Sequence, residues 1–276
     1  MLTPTLLALA SAGLHAAWNL RIKTSADREI AAWIQFVAGG LIFLPVLAVV
    51  DPPGLDALPY LAASGAVHLV YVGALVAAYH HGDFSVAYPL ARGGGALCAA
   101  VLGAVALGDE LGAGAWLSIL VVASGLAAFV RPGAPPAELG FALLTAATIG
   151  SYTVLDTAGS RAAENGFAYG VALSLVTGAA LSVLGVARGR GPAFVAAVRA
   201  NVPGALLSGF LLTMAYSLVL VAVRLAPTGY VAMLRESSVV LAALLGWMVL
   251  REPFGPRRFG ASVVVVVGLV ALVVTG

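Results

Sequence analysis

Residues 87–130, "AYPLARGGGALCAAVLGAVALGDELGAGAWLSILVVASGLAAFV", hold two long apolar runs separated by the short acidic turn "GDEL". Each run is about 20 residues, the length a helix needs to cross the hydrocarbon core of a bilayer. One full charge, Arg92, stands inside the first run and is followed by three glycines. The same texture recurs along the chain: of 276 residues, 61% are hydrophobic and 9% charged, with a mean hydropathy of +1.04. Soluble domains carry about 25% charged residues, so this chain lacks the polar surface to stay in water. In lipid every backbone polar group must be paired internally, which leaves helices or closed barrels. Runs such as "ASVVVVVGLVALVV" do not alternate as barrel strands do. The fold class is therefore all-α integral membrane.

Breaks at charged or Pro/Gly-rich stretches predict ten transmembrane helices, near 4–22, 30–50, 57–79, 83–107, 112–131, 137–158, 166–187, 202–224, 228–250 and 256–275. "DPPGLDALP" and "RPGAPPAELG" cannot continue a helix, so those breaks are secure. The loops are short, at most about 15 residues, and leave no soluble domain. The first apolar run lacks a basic leader and contains His15, Trp18 and Asn19, so it reads as a retained helix. The single cysteine, Cys98, excludes an internal disulfide and a multi-cysteine metal site.

Sliding the chain against itself by 143 residues places Arg92 on Arg235, Gly103 on Gly246, Asp109 on Glu252, and Gly125-Leu126 on Gly268-Leu269. The matches run ungapped through the fourth and fifth segments against the ninth and tenth. Five helices is an odd number, so the second half enters the membrane upside down. The expectation is two inverted five-helix repeats, 1–134 and 135–276, the architecture of secondary transporters with a substrate site near the midplane. Ten helices with such a repeat already form a complete two-fold unit, so a monomer suffices.

The stretches "LHAAWNLRIK", residues 87–130 and "LAPTGYVAMLRESSVVLAALLGWMVLREPFGPRRFGASVVVVVGLVALVV" resemble the drug/metabolite transporter superfamily in its ten-helix EamA-like branch. In that branch a short acidic turn, here "GDEL" and "REPF", closes the fourth and ninth helices. "HAAWN", "YPLARG" and "LRESS" are similar to a subset associated with phosphonate use. The resemblance implies a transporter in the inner (plasma) membrane of the cell, with both termini inside.

Loop charges predict the opposite orientation. Arg21, Lys23, Arg28, Arg131, Arg188, Arg190, Arg199, Arg251, Arg257 and Arg258 lie on the face of the odd-numbered loops, against Arg161 and Arg224 on the other. By the excess of Lys and Arg on the cytoplasmic side, both termini are non-cytoplasmic.

Arg92 and Arg235 are the two cations inside segments, each on the order of 10–14 Å deep in a core about 30 Å thick. A charge there costs about 2.5–3.5 kcal/mol on insertion scales, so a symmetric pair calls for a reason. One reading is a wet cavity in which both guanidiniums hold an anionic group through their planar donor forks. The other is bracing, each arginine pairing with an acid or a carbonyl. Glu236 adjoins Arg235, but neighbours on a helix point about 100° apart, so Asp156 is the better candidate partner. Gly93-Gly94-Gly95 admits close packing or loosens the helix. Glu236-Ser237-Ser238 occupies the same place in the second half, which would make the two sides of a cavity chemically unequal.

Further polar side chains fall on helix faces: His15, Trp18 and Asn19 in the first segment, His68 and Tyr71 with Ser64 in the third, and Tyr88 one turn before Arg92. Tyr152 and Tyr216 are the second-half candidates. Trp33, Trp116 and Trp247 read as interfacial or lipid-facing. HExxH, GxSxG and GxxxxGK[ST] motifs are missing, so no enzyme, metal or cofactor is expected, and the net charge of +2 offers no nucleic-acid face.

These residues point to secondary transport of a small polar metabolite with an anionic group: an amino acid, a phosphonate or an organophosphate. Arg92, Arg235, Glu236, Ser238, His15, Trp18, Asn19, His68, Tyr71, Tyr88, Tyr152 and Tyr216 would bind it, from the first, third, fourth, sixth, eighth and ninth helices. Glu236 or a histidine would meet a cationic end or couple to protons. The alternatives are an exporter of apolar or cationic compounds with structural arginines, and a non-transporting membrane sensor.

Overall fold

The computed structural model describes residues 1–81, 84–128, 135–250 and 255–276, with all their side chains except those of Lys23, Tyr79, His80, Arg258 and residues 84–88, 245–247 and 249–250. Expectations for Tyr79, His80, Tyr88 and Trp247 therefore lie outside the described side chains. Among the described residues there is no strand. The helices are α1 (Leu2–Lys23), α2 (Arg28–Phe43), α3 (Leu58–His81), α4 (Phe84–Leu107), α5 (Ala113–Ala127), α6 (Pro136–Ala162), α7 (Gly166–Ala187), α8 (Gly191–Ala200), α9 (Val202–Ala222), α10 (Thr228–Leu234), α11 (Ser237–Leu250) and α12 (Pro256–Thr275). Two 3₁₀ turns, Leu44–Ala48 and Leu55–Ala57, extend α2 and lead into α3.

Local chemistry sets these ends. The side chains of Asp27, Asn165 and Asn201 accept hydrogen bonds from the first-turn N–H groups of α2, α7 and α9. Proline opens α6, α8, α9 and α12, where its missing N–H costs nothing. Among the described residues, six segments are long and apolar enough to cross a bilayer: 28–48, 55–78, 89–107, 136–162, 166–187 and 202–222. The outside of the bundle is apolar, with Val105, Leu117, Val183 and Val267 all more than half exposed. Its inside is where the charges are: Arg92, Asp156, Arg235 and Glu236 are buried. That inversion suits lipid as the solvent.

Three expectations need correction. The loop after the seventh segment contains α8, a ten-residue helix, where a bare loop was expected. The ninth segment is not one helix, because the chain turns at Arg235-Glu236 between α10 and α11. Trp33 does not face lipid. It is buried, its Nε1–H donates to Ser182 Oγ at 2.8 Å, and its ring packs on Phe194 of α8 at 4.2 Å. Trp116 is half-buried.

The helices of one half pack mainly on those of the other. α6 lies against α3 and α4, α9 against α1 and α2, α10 against α4, and α12 against α5. Glycine permits the tightest crossings. A Cβ on Gly209 of α9 would stand 2.4 Å from the backbone N of Gly39 in α2. In α5 and α12 the contacts are reciprocal. Gly125 would meet Val265 at 2.9 Å, and Gly268 would meet Val122 at 2.7 Å. Gly93, Gly94 and Gly95 face Leu126, Ala146 and Ile149 while α4 stays continuous, so they serve close packing.

The end of the bundle that holds the termini is closed by a polar network. Arg161 Nη1 pairs with Asp109 Oδ1 at 2.7 Å, and its Nε–H donates to the Val223 carbonyl at 2.9 Å. Asp109 Oδ2 accepts the Thr228 N–H at 2.6 Å, at the start of α10. Arg224 donates to the carbonyls of Ser160 and Ala163.

Candidate functional site

A cavity runs into the bundle from the opposite end, the one carrying residues 24–27 and 188–201. Its deep part is lined by His15, His68, Tyr71, Tyr152, Tyr216 and Arg235, and its mouth by Arg28 and Val76. Val76 also lines two outer cavities, beside Glu29 and Arg190, so the three form a file toward that end. The space open to the centres of water molecules is about 90 Å³, room for several waters or a small polar group. Trp18, Phe36, Leu75 and Leu212 supply apolar walls.

Aromatic rings build the floor. His68 stacks on Tyr152 with centroids 4.2 Å apart, and Tyr71 and Tyr216 meet Tyr152 edge-on at 5.4 and 6.1 Å. His68 Nδ1 lies 2.9 Å from the Ser64 carbonyl. A carbonyl can only accept, so Nδ1 carries the hydrogen and Nε2 is the acceptor of the neutral ring. On the first helix, His15 and Trp18 meet edge-on at 4.6 Å, and the Asn19 amide donates back to the His15 carbonyl.

The two arginines do different things. Arg92 Nη2 donates to Glu236 Oε1 at 2.6 Å in a fully buried pair that joins α4 to the break before α11. Arg235 lines the cavity, its guanidinium carbon 5.4 Å from the centroid of the Tyr216 ring. Among the described residues it has no carboxylate within ion-pair distance. Asp156, expected as its partner, instead accepts the hydroxyls of Tyr216 at 2.6 Å and Tyr169 at 3.2 Å. The break gives this arrangement a local reason. Arg235 caps the C-terminus of α10 and Glu236 precedes the N-terminus of α11, each with the charge its helix end favours. Of this group, Arg235 is the one that the cavity exposes.

Of the residues singled out in the sequence, His15, Trp18, Asn19, His68, Tyr71, Tyr152, Tyr216 and Arg235 come together around the cavity. Arg92, Glu236 and Ser238 are buried but do not line it, and the Tyr88 side chain lies outside the described residues. The cavity also draws on α2 and α7, through Gln35, Phe36 and Ser174, while α4 gives it no described lining residue. Gln35, an amide within an apolar run, was the available sign that the second helix faces inward.

A model of the EamA-like transporter family matches residues 137–274. A solved crystal structure superposes over 99% of this chain and 99% of its own, with a TM-score of 0.78 at 14% identity, a likeness of fold. None of the curated proteins compared matches the sequence.

Proposed function

The chain belongs to the EamA-like transporter family, and from that premise we propose that it is a secondary transporter of a small metabolite bearing an anionic group. The observation that carries the reading is Arg235, a buried guanidinium lining the cavity with no carboxylate within ion-pair distance among the described residues. A carboxylate, phosphate or phosphonate entering the cavity would supply the missing charge through a bidentate pair. The apolar walls would take the rest of the ligand. Arg92 would act indirectly, by fixing Glu236 and the break that presents Arg235.

The transport cycle we infer is alternating access between two inverted five-helix halves crossing the membrane ten times in all. The reciprocal contacts Gly125–Val265 and Gly268–Val122 support it, because a shift of 143 residues converts one into the other. In this conformation the cavity reaches the end bearing residues 24–27, and the Asp109–Arg161 network closes the other. The loop charges support a plasma-membrane orientation with both termini outside the cytoplasm, so the cavity would face the cytoplasm. A single chain would suffice, with a proton as the coupling ion.

The test is thermal unfolding of detergent-purified protein with phenylphosphonate, glutamate, tetraphenylphosphonium and an uncharged aromatic, beside Arg235→Ala. A ligand at about 100 times its Kd stabilises by roughly 2.7 kcal/mol. Stabilisation by the anions alone, lost in a folded Arg235→Ala, supports the reading. Stabilisation of both proteins by the cation or the uncharged compound replaces it with export of apolar or cationic compounds, the reading favoured by the apolar walls.

A further inference from the structure

Asp156 is a buried acidic residue that the anion site leaves unexplained. It is completely buried in the middle of the bundle and does not line the cavity. Among the described residues no lysine or arginine pairs with it. Its hydrogen-bond donors are the Tyr216, Tyr169 and Ser64 hydroxyls. The titratable groups that face it are His68 from α3, Tyr169 from α7, Tyr216 from α9 and Tyr152 from its own helix. The arginines reached from α4 and α10 lie toward Tyr152 and Tyr216 instead. A carboxylate held by neutral hydroxyls inside a membrane protein is poised to exist in two protonation states, since neither state strands a fixed cation.

Tyr216 belongs to both sites. Its hydroxyl donates to Asp156 Oδ2 at 2.6 Å, and the face of its ring lies beneath Arg235 at 5.4 Å. Both Tyr216 and His68 line the cavity, so water there is one side chain away from the carboxylate.

We propose that Asp156 is the proton-exchange site of this transporter and that Tyr216 links its protonation state to Arg235. The inference rests on the anion-transport reading above. In the ionised state Tyr216 donates its hydrogen to Asp156. Tyr216 passes that hydrogen to Asp156 while its oxygen takes a proton from a hydronium in the cavity: an O–H bond forms on Asp156, the tyrosine's old O–H bond breaks as a new one forms on the cavity side, and a water molecule is left behind. The protonated carboxyl then donates to the Tyr216 oxygen, and the tyrosine hydrogen faces the cavity. One negative charge has left the region behind Arg235, and a new donor faces an anion held there. Proton and anion therefore favour each other's binding, reciprocally, and cross the membrane in the same direction.

The test needs no substrate. Infrared difference spectra of the purified protein are recorded through an acid titration for the wild type, Asp156→Asn, Asp156→Glu, Tyr216→Phe and Arg235→Lys. A carboxylic C=O band grows on acidification, is lost in Asp156→Asn, and moves in Asp156→Glu and in Tyr216→Phe. A guanidinium band, identified by its loss in Arg235→Lys, follows the same midpoint and loses its pH response in Tyr216→Phe. If Asp156→Asn does not fold, the displaced band in Asp156→Glu makes the assignment. The proposal is overturned if no titrating carboxyl band depends on residue 156, or if the guanidinium band ignores Tyr216→Phe. Either failure leaves the anion-binding screen untouched, and a failed screen leaves the titration untouched.

Discussion

Arg92 and Glu236 are 144 residues apart in the chain and 2.6 Å apart in the bundle, with both side chains buried. Removing one partner leaves the other charge buried without this ion pair, which costs about 3–5 kcal/mol. Glu236→Ala is therefore expected to lower the unfolding temperature sharply, and Arg92→Ala likewise. Arg235→Ala removes a charge with no ion-pair partner among the described residues, so it should stay folded and lose anion binding. Thermal unfolding with and without phenylphosphonate separates the two behaviours. Equal destabilisation by all three substitutions would contradict this division of labour.

Asp109 titrates outside the membrane-spanning helices. Its burial raises the carboxyl's pKa, but hydrogen bonds from Arg161 and Thr228 outweigh it and hold the group below the usual carboxylate range. A pKa lower in the folded state adds stability above the unfolded value and loses it as pH falls through the folded one. The expected outcome is a drop in unfolding temperature below about pH 4 that is smaller in Asp109→Asn. Parallel curves for the two proteins would remove Asp109 from the closure of that end.

The α2–α9 crossing has no room for a methyl group. Gly209→Ala would drive a Cβ against the backbone of Ala38 and Gly39, which no side-chain movement relieves. Overpacking of this kind costs about 1–3 kcal/mol. Gly13→Ala, with open space around the added atom, should be neutral or slightly stabilising. Unfolding temperatures of the two variants provide the comparison.

Membrane orientation is testable because Cys98 is the one native cysteine. In a Cys98→Ser background, Gly189→Cys and Glu164→Cys place thiols at opposite ends of the bundle. A membrane-impermeant maleimide added to whole cells should label position 164 and spare position 189. The reverse pattern would put the termini in the cytoplasm.

Helix positions were legible because bilayer thickness imposes one length and Pro/Gly-rich breaks mark the ends, as at Pro136 and Pro256. The break at Arg235-Glu236 was not, since neither residue disfavours a helix and the contact of Glu236 with Arg92 on α4 lies across the bundle. The cavity faces of α1, α3, α6 and α9 were readable from polar residues at helical spacing. Which acid meets which base was not, because that depends on helix rotation. Asp156 was matched to Arg235 because the adjoining Glu236 points away on a regular helix, and the structure gives Asp156 tyrosines. For α8 the signal was present in "GPAFVAAVRA", a proline at its start and apolar residues at helical intervals.

The preference of each helix for partners in the opposite half has a consequence during biosynthesis. When the ribosome has delivered α1 to α5, Arg92 sits in the bilayer before its carboxylate partner exists, and α3 and α4 still lack α6. Until α10 has followed, the nascent intermediate lacks the Glu236 contact and the packing of α6, α9 and α12. The first five helices are thus a shorter stretch than the one that can fold.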